Sequence, residues 1–374
     1  MNSLILANFG QTMQTVGYVL IAVLVLLVMI TVHEFGHYIS GKILGFGIEE
    51  FSIGFGPKIF SKKKKDGEVF SVRLLPIGGF CSFVGEDKEE DKDNERAFNN
   101  RKPWQRIIVL ISGAFMNYLL ALLIIITMLG VFGQPAIMMG KTQVDTAYYG
   151  YSLQEKDIIL KVEGENVFSL SDLLIATEGK DAGDLVDFTV IRNKEQVVQQ
   201  VKLRTHTHYE NIEDIEQMFD AVGINYSHND DGSLVVNGLY STSVKFGVFK
   251  TLGHSFEYSF GLVGTIFKIL GQLITGSLGI SSLGGTITTV GMTANAIRIG
   301  GMRYLLEISA LIGVNLAVFN LLPIPALDGS RVVFTAIEGI RKKPVSRRIE
   351  GIIHTVGFVL LIAFAIFIDL QRCF

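Results

Sequence analysis

Residues 33–37 read His-Glu-Phe-Gly-His. On a helix, His33 and His37 lie one turn apart on one face and can reach a single metal ion. Glu34 is offset by about 100° and can contact a water beside the metal without ligating it. This is the arrangement of a zinc hydrolase. Zinc brings the pKa of a water toward ~7, and the glutamate takes its proton as the water attacks a carbonyl. Such a motif also recurs by chance, and on a soluble helix a solvated charged face would account for it equally well. Here it closes an uncharged run, VGYVLIAVLVLLVMITV at 16–32. Ionisable side chains at membrane depth are costly and mark function by default.

A zinc site of this kind takes a third protein ligand. Residues 320–329, NLLPIPALDG, close another apolar stretch. Pro323 and Pro325 stop a helix and free backbone carbonyls, and Asp328 follows on the broken end beside Gly329. Alone, Asp328 reads as a turn or N-cap residue before RVVFTAIEGI at 331–340. Beside an incomplete zinc site it is the candidate third ligand.

The elements that must position these residues are membrane helices. The chain has 374 residues, is 49% hydrophobic and 18% charged, and has a mean hydropathy of +0.40. Those values indicate a multi-span membrane protein. A net charge of −3 offers no nucleic-acid partner. Cys81 and Cys373 lie far apart and read as free thiols. Residues 1–14 lack a basic region and a cleavage signature, which predicts a retained helix and not a cleaved signal peptide.

Four segments approach the roughly 20 apolar residues of a span: 13–35, 106–132, 303–323 and 350–369. A fifth apolar stretch, 244–275, carries Lys245, Lys250, His254, Glu257 and Lys268, with Phe246, Phe249, Phe256 and Phe260 at helical spacing. It reads as an amphipathic helix at the interface, with a short fifth span as the rival. Lys and Arg concentrate at 40–105 and 331–348, which the positive-inside rule assigns to the cytoplasm. Four spans then put both termini and 133–300 outside, and bring His33, His37 and Asp328 to one level. The run KKKKDG at 62–67 reads as a solvated hairpin tip.

The predicted organisation is a first membrane part, 1–132, with β-hairpin material at 45–80; a soluble α+β domain, 133–204, with two strands meeting at Asn193-Lys194; a polar linker or insertion, 205–243; the interfacial segment, 244–300; and a second membrane part, 301–374. Non-helical backbone beside a membrane must be covered by protein or line a wet cavity, so the β-hairpin is a candidate cavity wall. No internal repeat is visible. His206, His208, His228, His254 and His354 read as solvated, interfacial or packed residues outside the site.

HEFGH at 33–37 together with NLLPIPALDG at 320–329 resembles the site-2 protease family of intramembrane zinc metalloproteases, and within it the bacterial regulator-of-sigma-E protease (RseP-type) branch. The resemblance covers almost the whole chain. RLLPIGGF at 73–80 resembles the family's membrane-embedded β-loop, SGAFMNYLLA at 112–121 the start of its second span, and YGYSLQEKDIILKVEGENV at 149–167 its PDZ domain. The fold it implies is an α-helical polytopic membrane protein with four transmembrane helices, a membrane-associated β-hairpin region and one inserted α+β PDZ-like domain.

The resemblance also implies roles. His33, His37 and Asp328 would bind Zn2+, Glu34 would be the catalytic base, and Asn320 would contact substrate or oxyanion. Gly78 and Gly79 would lie where the β-loop pairs with a substrate strand. An intact transmembrane helix hides its amides and must be unwound, and an edge strand offers replacement hydrogen bonds. The implied substrates are single-span membrane proteins of anti-sigma-factor or remnant signal-peptide type. The implied location is the bacterial cytoplasmic (inner) membrane, with the site toward the cytoplasm and the PDZ-like domain outside, sensing a peptide tail.

The chain departs from the pattern at three places. Ser330-Arg331 follow Gly329 where a second glycine is usual, Gly284-Gly285-Thr286-Ile287 lacks a proline, and Lys156 stands where a glycine is common. Two rivals stay open. A zinc or cation transporter predicts polar residues along the other spans, and the second span has only Ser112, Asn117 and Thr127. A catalytically inactive PDZ scaffold would have no use for Glu34.

Overall fold

Uncharged runs become long helices, and the turn-rich segments between them become β-structure. A computed structural model describes residues 2–86, 94–140, 153–207, 215–229, 234–276, 284–343 and 345–371. The N-terminal part holds α1 (Asn2–Ile43), β1 (Ile48–Lys63), β2 (Val69–Phe83) and α2 (Pro103–Phe132). Then come β3 (Gln134–Met139), β4 (Ile158–Val162), β5 (Glu165–Asn166), α3 (Leu170–Thr177), β6 (Leu185–Arg192), β7 (Glu195–Lys202), α4 (Ile215–Val222), β8 (Tyr226–His228), β9 (Leu234–Val236) and β10 (Leu239–Val244). The chain closes with α5 (Val248–Thr275), α6 (Thr286–Leu321), α7 (Asp328–Arg341) and α8 (Arg347–Gln371).

This is a multi-pass membrane protein. Among the described residues, α1, α2, α5, α6 and α8 are long and apolar enough to cross a bilayer. Composition predicts four spans. The fifth candidate is α5, the least apolar of the set. The third expected span, 303–323, is the second half of α6. That helix starts at Thr286 and breaks at Gly301, whose φ of 61° and ψ of −142° are not helical. The first half of α6 carries four threonines, Asn295 and Arg298, which weaken the apolar signal there.

The chain forms two compact units, Met1–Ile126 with Tyr258–Phe374, and Thr127–Glu257. In the first, contacts fix the helix directions. His37 of α1 meets Val109 of α2, and His33 meets Asn117, so α1 and α2 are antiparallel. Met29 lies against Gly313 of α6, and His33 against Asn320, so α1 and α6 run parallel. At the start of α6, Asp369 of α8 accepts the backbone N–H groups of Ile287 (3.1 Å) and Thr288 (3.2 Å). It thereby caps α6 from another helix, where Gly285 has no capping side chain. His354 of α8 meets Ala326, just past the end of α6, so α8 is antiparallel to α6. α5 joins this unit through Tyr118 and Ser259 (Oη to Oγ, 2.9 Å) and through Ile266, packed with Ala121, Val314 and Val318.

β1 and β2 bend so that each supplies two arms. Residues 50–53 pair on one side with 69–72 and on the other with 79–82, while 58–63 pairs with 69–73. The arm order is therefore 58–63, 69–73, 50–53, 79–83, and the last is an outer edge. Lys64 in the tip pairs with Glu68 (2.7 Å) and meets Tyr38 (2.9 Å), and Lys42 also pairs with Glu68. The expected solvated tip is thus tied back to the end of α1.

The second unit has an antiparallel sheet in the order β10-β3-β4-β6-β7, with β5 on β4. Its apolar core includes Ile159, Phe188, Val190, Leu173 and Phe219, all buried. The β6–β7 hairpin closes at Asn193 and Lys194, both left-handed at φ 52° and 72°, as a two-residue I′ turn requires. Lys156 is also left-handed at φ 73°, a conformation that glycine adopts at no steric cost.

α1 and α2 approach closely at Gly36, where a Cβ would collide with the Ser112 carbonyl. We expect Gly36→Ala to lower stability in detergent by about 1–3 kcal/mol, the usual cost of overpacking. Gly17→Ala, with nothing within 4 Å, should hold or slightly raise the thermal midpoint, since alanine is the better helix former by about 0.5–1 kcal/mol. Equal midpoints for the two variants would show that the close approach is unimportant.

Candidate metal centre

The helical spacing of His33 and His37 directs both imidazoles toward α2. His37 Nδ1 donates to the Val109 carbonyl at 2.8 Å. Its Nδ1 therefore carries the proton, and the Nε2 lone pair faces inward. Gly113 makes room for both rings. A Cβ there would lie 2.7 Å from His37 Cε1 and 2.8 Å from His33 Cε1.

The third residue arrives from the other end of the sequence. Pro323 and Pro325 stop α6, and a tight turn follows, with Leu327 N–H donating to the Ile324 carbonyl at 3.1 Å. Ala326 is left-handed at φ 78°, and its N–H donates to His354 Nδ1 at 3.1 Å. Asp328 then opens α7. Gly329 sits directly on the carbonyls of Leu321 and Leu322, where any Cβ would collide. Arg331, one turn into α7, pairs with Glu86 at 2.5 Å and ties this end to the segment after β2.

These constraints bring three potential ligand atoms together. His33 Nε2 lies 3.0 Å from Asp328 Oδ2, His37 Nε2 lies 3.2 Å from the same oxygen, and the two Nε2 atoms are 3.2 Å apart. Ligands about 2.0–2.1 Å from a tetrahedral ion stand ~3.3 Å from one another. The observed triangle is close to one face of such a tetrahedron, and its donor set of two imidazoles and a carboxylate suits zinc. Among the described residues this is the one cluster of three or more His, Cys, Asp or Glu side chains arranged to hold a metal ion. Burial pushes the Asp328 carboxyl up, but His37 and His33 outweigh it and hold it far below the ordinary carboxylate range.

Glu34 does not join the triangle. Its Oε2 accepts the backbone N–H of Cys81 at 3.0 Å, on the outer arm of the β-structure. Gly79 lies beside it, with the site of a Cβ 3.6 Å from Glu34 Cγ and 2.8 Å from the Ser52 carbonyl. Gly78 is not at the cluster: it faces the Phe55 ring, which a Cβ would strike. Asn320 is at the cluster, its Nδ2 3.5 Å from His33 Nδ1.

The other histidines stay out of the site. His228 pairs with Glu216 (3.0 Å) and His254 with Glu257 (3.2 Å). His206 is exposed, and His208 lies outside the described residues. His354 is a packed, hydrogen-bonded residue, although it supports the turn before Asp328. Composition and spacing did not single out Gly113, the Cys81 N–H or the role of His354. Asn117 stood out as one of few polar residues in its span.

The family description "Peptidase family M50" matches residues 21–364. Zinc metalloprotease RasP of Bacillus licheniformis is 28% identical over 430 residues, covering 91% of this chain and 96% of its own. A candidate zinc metalloprotease of Clostridium perfringens is 31% identical over 355 residues, covering 95% of this chain and 98% of its own. One from Nostoc sp. is 31% identical over 373 residues, covering 95% of each. The family match spans both HEFGH and the turn before Asp328. The chain belongs to peptidase family M50, and it is an intramembrane zinc metalloprotease of that family.

Proposed function

We propose that this protease cuts single-span membrane proteins in or near their transmembrane segments, with zinc held by His33, His37 and Asp328 and with Glu34 as general base. The observation that carries this reading is the convergence of three ligand atoms, 3.0–3.2 Å apart, from residues as far as 295 positions apart, next to a carboxylate that stands aside. A zinc ion bound there supplies a Lewis acid that polarises the scissile carbonyl and acidifies a water. Glu34 takes the proton from the attacking water and returns it to the leaving amine. Asn320 is suited to donate to the carbonyl oxygen as charge develops on it. The outer arm 79–83 offers an edge for an unwound substrate strand, with Gly79 at the height of Glu34.

Anti-sigma factors and remnant signal peptides are the substrate types this reading favours. The unit Thr127–Glu257 acts as a PDZ-like filter outside the bacterial inner membrane, sensing a peptide tail. The basic segments 40–105 and 331–348 favour the cytoplasmic side for the metal site.

Helix directions support an α5 that does not cross. α2 runs away from the metal-site face and α6 runs toward it, so α2 ends and α6 begins at the opposite face. A single crossing between them would leave α6 on the wrong side. α5 packs on Tyr118 and Ala121 of α2 and on Val314 and Val318 of α6, and its charged, amphipathic sequence favours the interfacial reading over a fifth span.

Glu34→Gln tests the base. It should retain zinc and lose about 10²–10⁴-fold in cleavage of a tagged single-span substrate; cleavage at the wild-type rate would overturn the role. Asp328→Ala should lose both zinc and cleavage, and a zinc-replete Asp328→Ala protein would remove Asp328 from the ligand set. For α5, single cysteines at Lys250 and Thr275, in protein lacking Cys81 and Cys373, should both react with a membrane-impermeant maleimide from one side. Labelling from opposite sides would make α5 a span.

A further inference from the structure

We propose that Asn117 is a positioning residue for His33: its amide oxygen accepts the Nδ1 proton, so that the Nε2 lone pair faces the metal. The inference rests on His33 being a zinc ligand. A neutral imidazole that offers Nε2 must carry its proton on Nδ1, and that N–H needs an acceptor. For His37 the acceptor is visible, the Val109 carbonyl at 2.8 Å. For His33 the groups at Nδ1 are the amides of Asn117 and Asn320, each with Nδ2 at 3.5 Å. Two NH2 groups cannot serve an N–H, so one amide must present its oxygen.

Three observations select Asn117. It is fully buried in α2, at 0% exposure. Its Oδ1 is buried with no hydrogen-bond partner among the described residues, so the present orientation leaves that oxygen unsatisfied. A half-turn about the Cβ–Cγ bond exchanges oxygen and nitrogen without moving the side chain. Finally, Val109, Gly113 and Asn117 follow one another at four-residue spacing, on one face of α2. Val109 backs one imidazole, Gly113 admits both rings, and Asn117 backs the other. Asn320, half-buried at the end of α6, stays free to face the peptide.

The test measures Zn2+ affinity of the full-length protein in nanodiscs by competition with a chromophoric chelator. Asn117→Leu, close in shape but without an acceptor, should weaken zinc binding about 10–100-fold. Asn117→Asp, which keeps an acceptor, should stay within about 3-fold of wild type. Thermal unfolding of the zinc-free proteins tells lost zinc from lost fold. Should Asn117→Leu not fold, Asn117→Ala replaces it in the comparison with Asn117→Asp. Rescue by Asp is the outcome that a packing role would not give. Wild-type affinity in Asn117→Leu, or equal loss in the Asp and Leu variants, would overturn the proposal. So would loss on Asn320→Leu in place of Asn117→Leu. His33→Ala separates the two levels: unchanged zinc affinity there would remove the ligand assignment itself, whatever Asn117 does.

Discussion

Everything around the site follows from the requirement that three polar side chains meet at membrane depth without leaving other polar groups bare. The mutual approach of His33, His37 and Asp328 to within 3.2 Å joins α1 to the start of α7, just past the end of α6. The rest of the first unit serves that meeting. Gly36 lets α2 come close enough to back the imidazoles, two prolines end α6 at the right level, and Gly329 lets α7 start directly on that end. His354 takes the N–H that the left-handed Ala326 would otherwise leave unpaired. In water such groups could find solvent partners. Beside lipid each needs a protein partner, which is why residues of modest chemistry surround a site of strong chemistry.

How much of this was legible in the sequence depends on how local each signal is. HEFGH is readable because both histidines belong to one helical turn. The turn before Asp328 is readable because two prolines and a glycine leave few conformations. Gly113 left no trace, since a small residue in an apolar run carries no polar signal and its meaning appears only when His33 and His37 face it. The Cys81 N–H is invisible for a deeper reason: a backbone donor does not depend on residue type, so no residue type announces it. Asn117 is the intermediate case, an amide in an apolar span whose purpose needs a partner from α1. The length of α6 is hidden by the threonines, Asn295 and Arg298 before Gly301, and α5 by charges that composition weighs against a span. Lys156 shows the reverse: a residue type that gives no turn signal holds a left-handed backbone.

The two units divide the labour by composition. Thr127–Glu257 folds around an ordinary apolar core, with alternating strands and a two-residue hairpin turn, as a water-soluble domain does. The remaining residues spend their apolar surface on lipid and on one another, and keep polar contacts for the metal centre and for helix ends. Asp369 illustrates the second economy. Near the end of the chain, it caps the start of the helix that leads to the site, so the last helix is part of the catalytic unit's frame.

The bond between Glu34 and the Cys81 N–H gives the outer arm and the proposed base a common origin. A chain laid along that arm advances about 3.3 Å per residue and turns alternate side chains to opposite faces. Its peptide groups would meet the base in fixed steps, as marks meet the zero of a ruler. A protease built this way counts distance along its substrate more than it reads letters. Its selectivity would lie in which helices can be drawn out into strands, and in how far from the helix end the drawing begins.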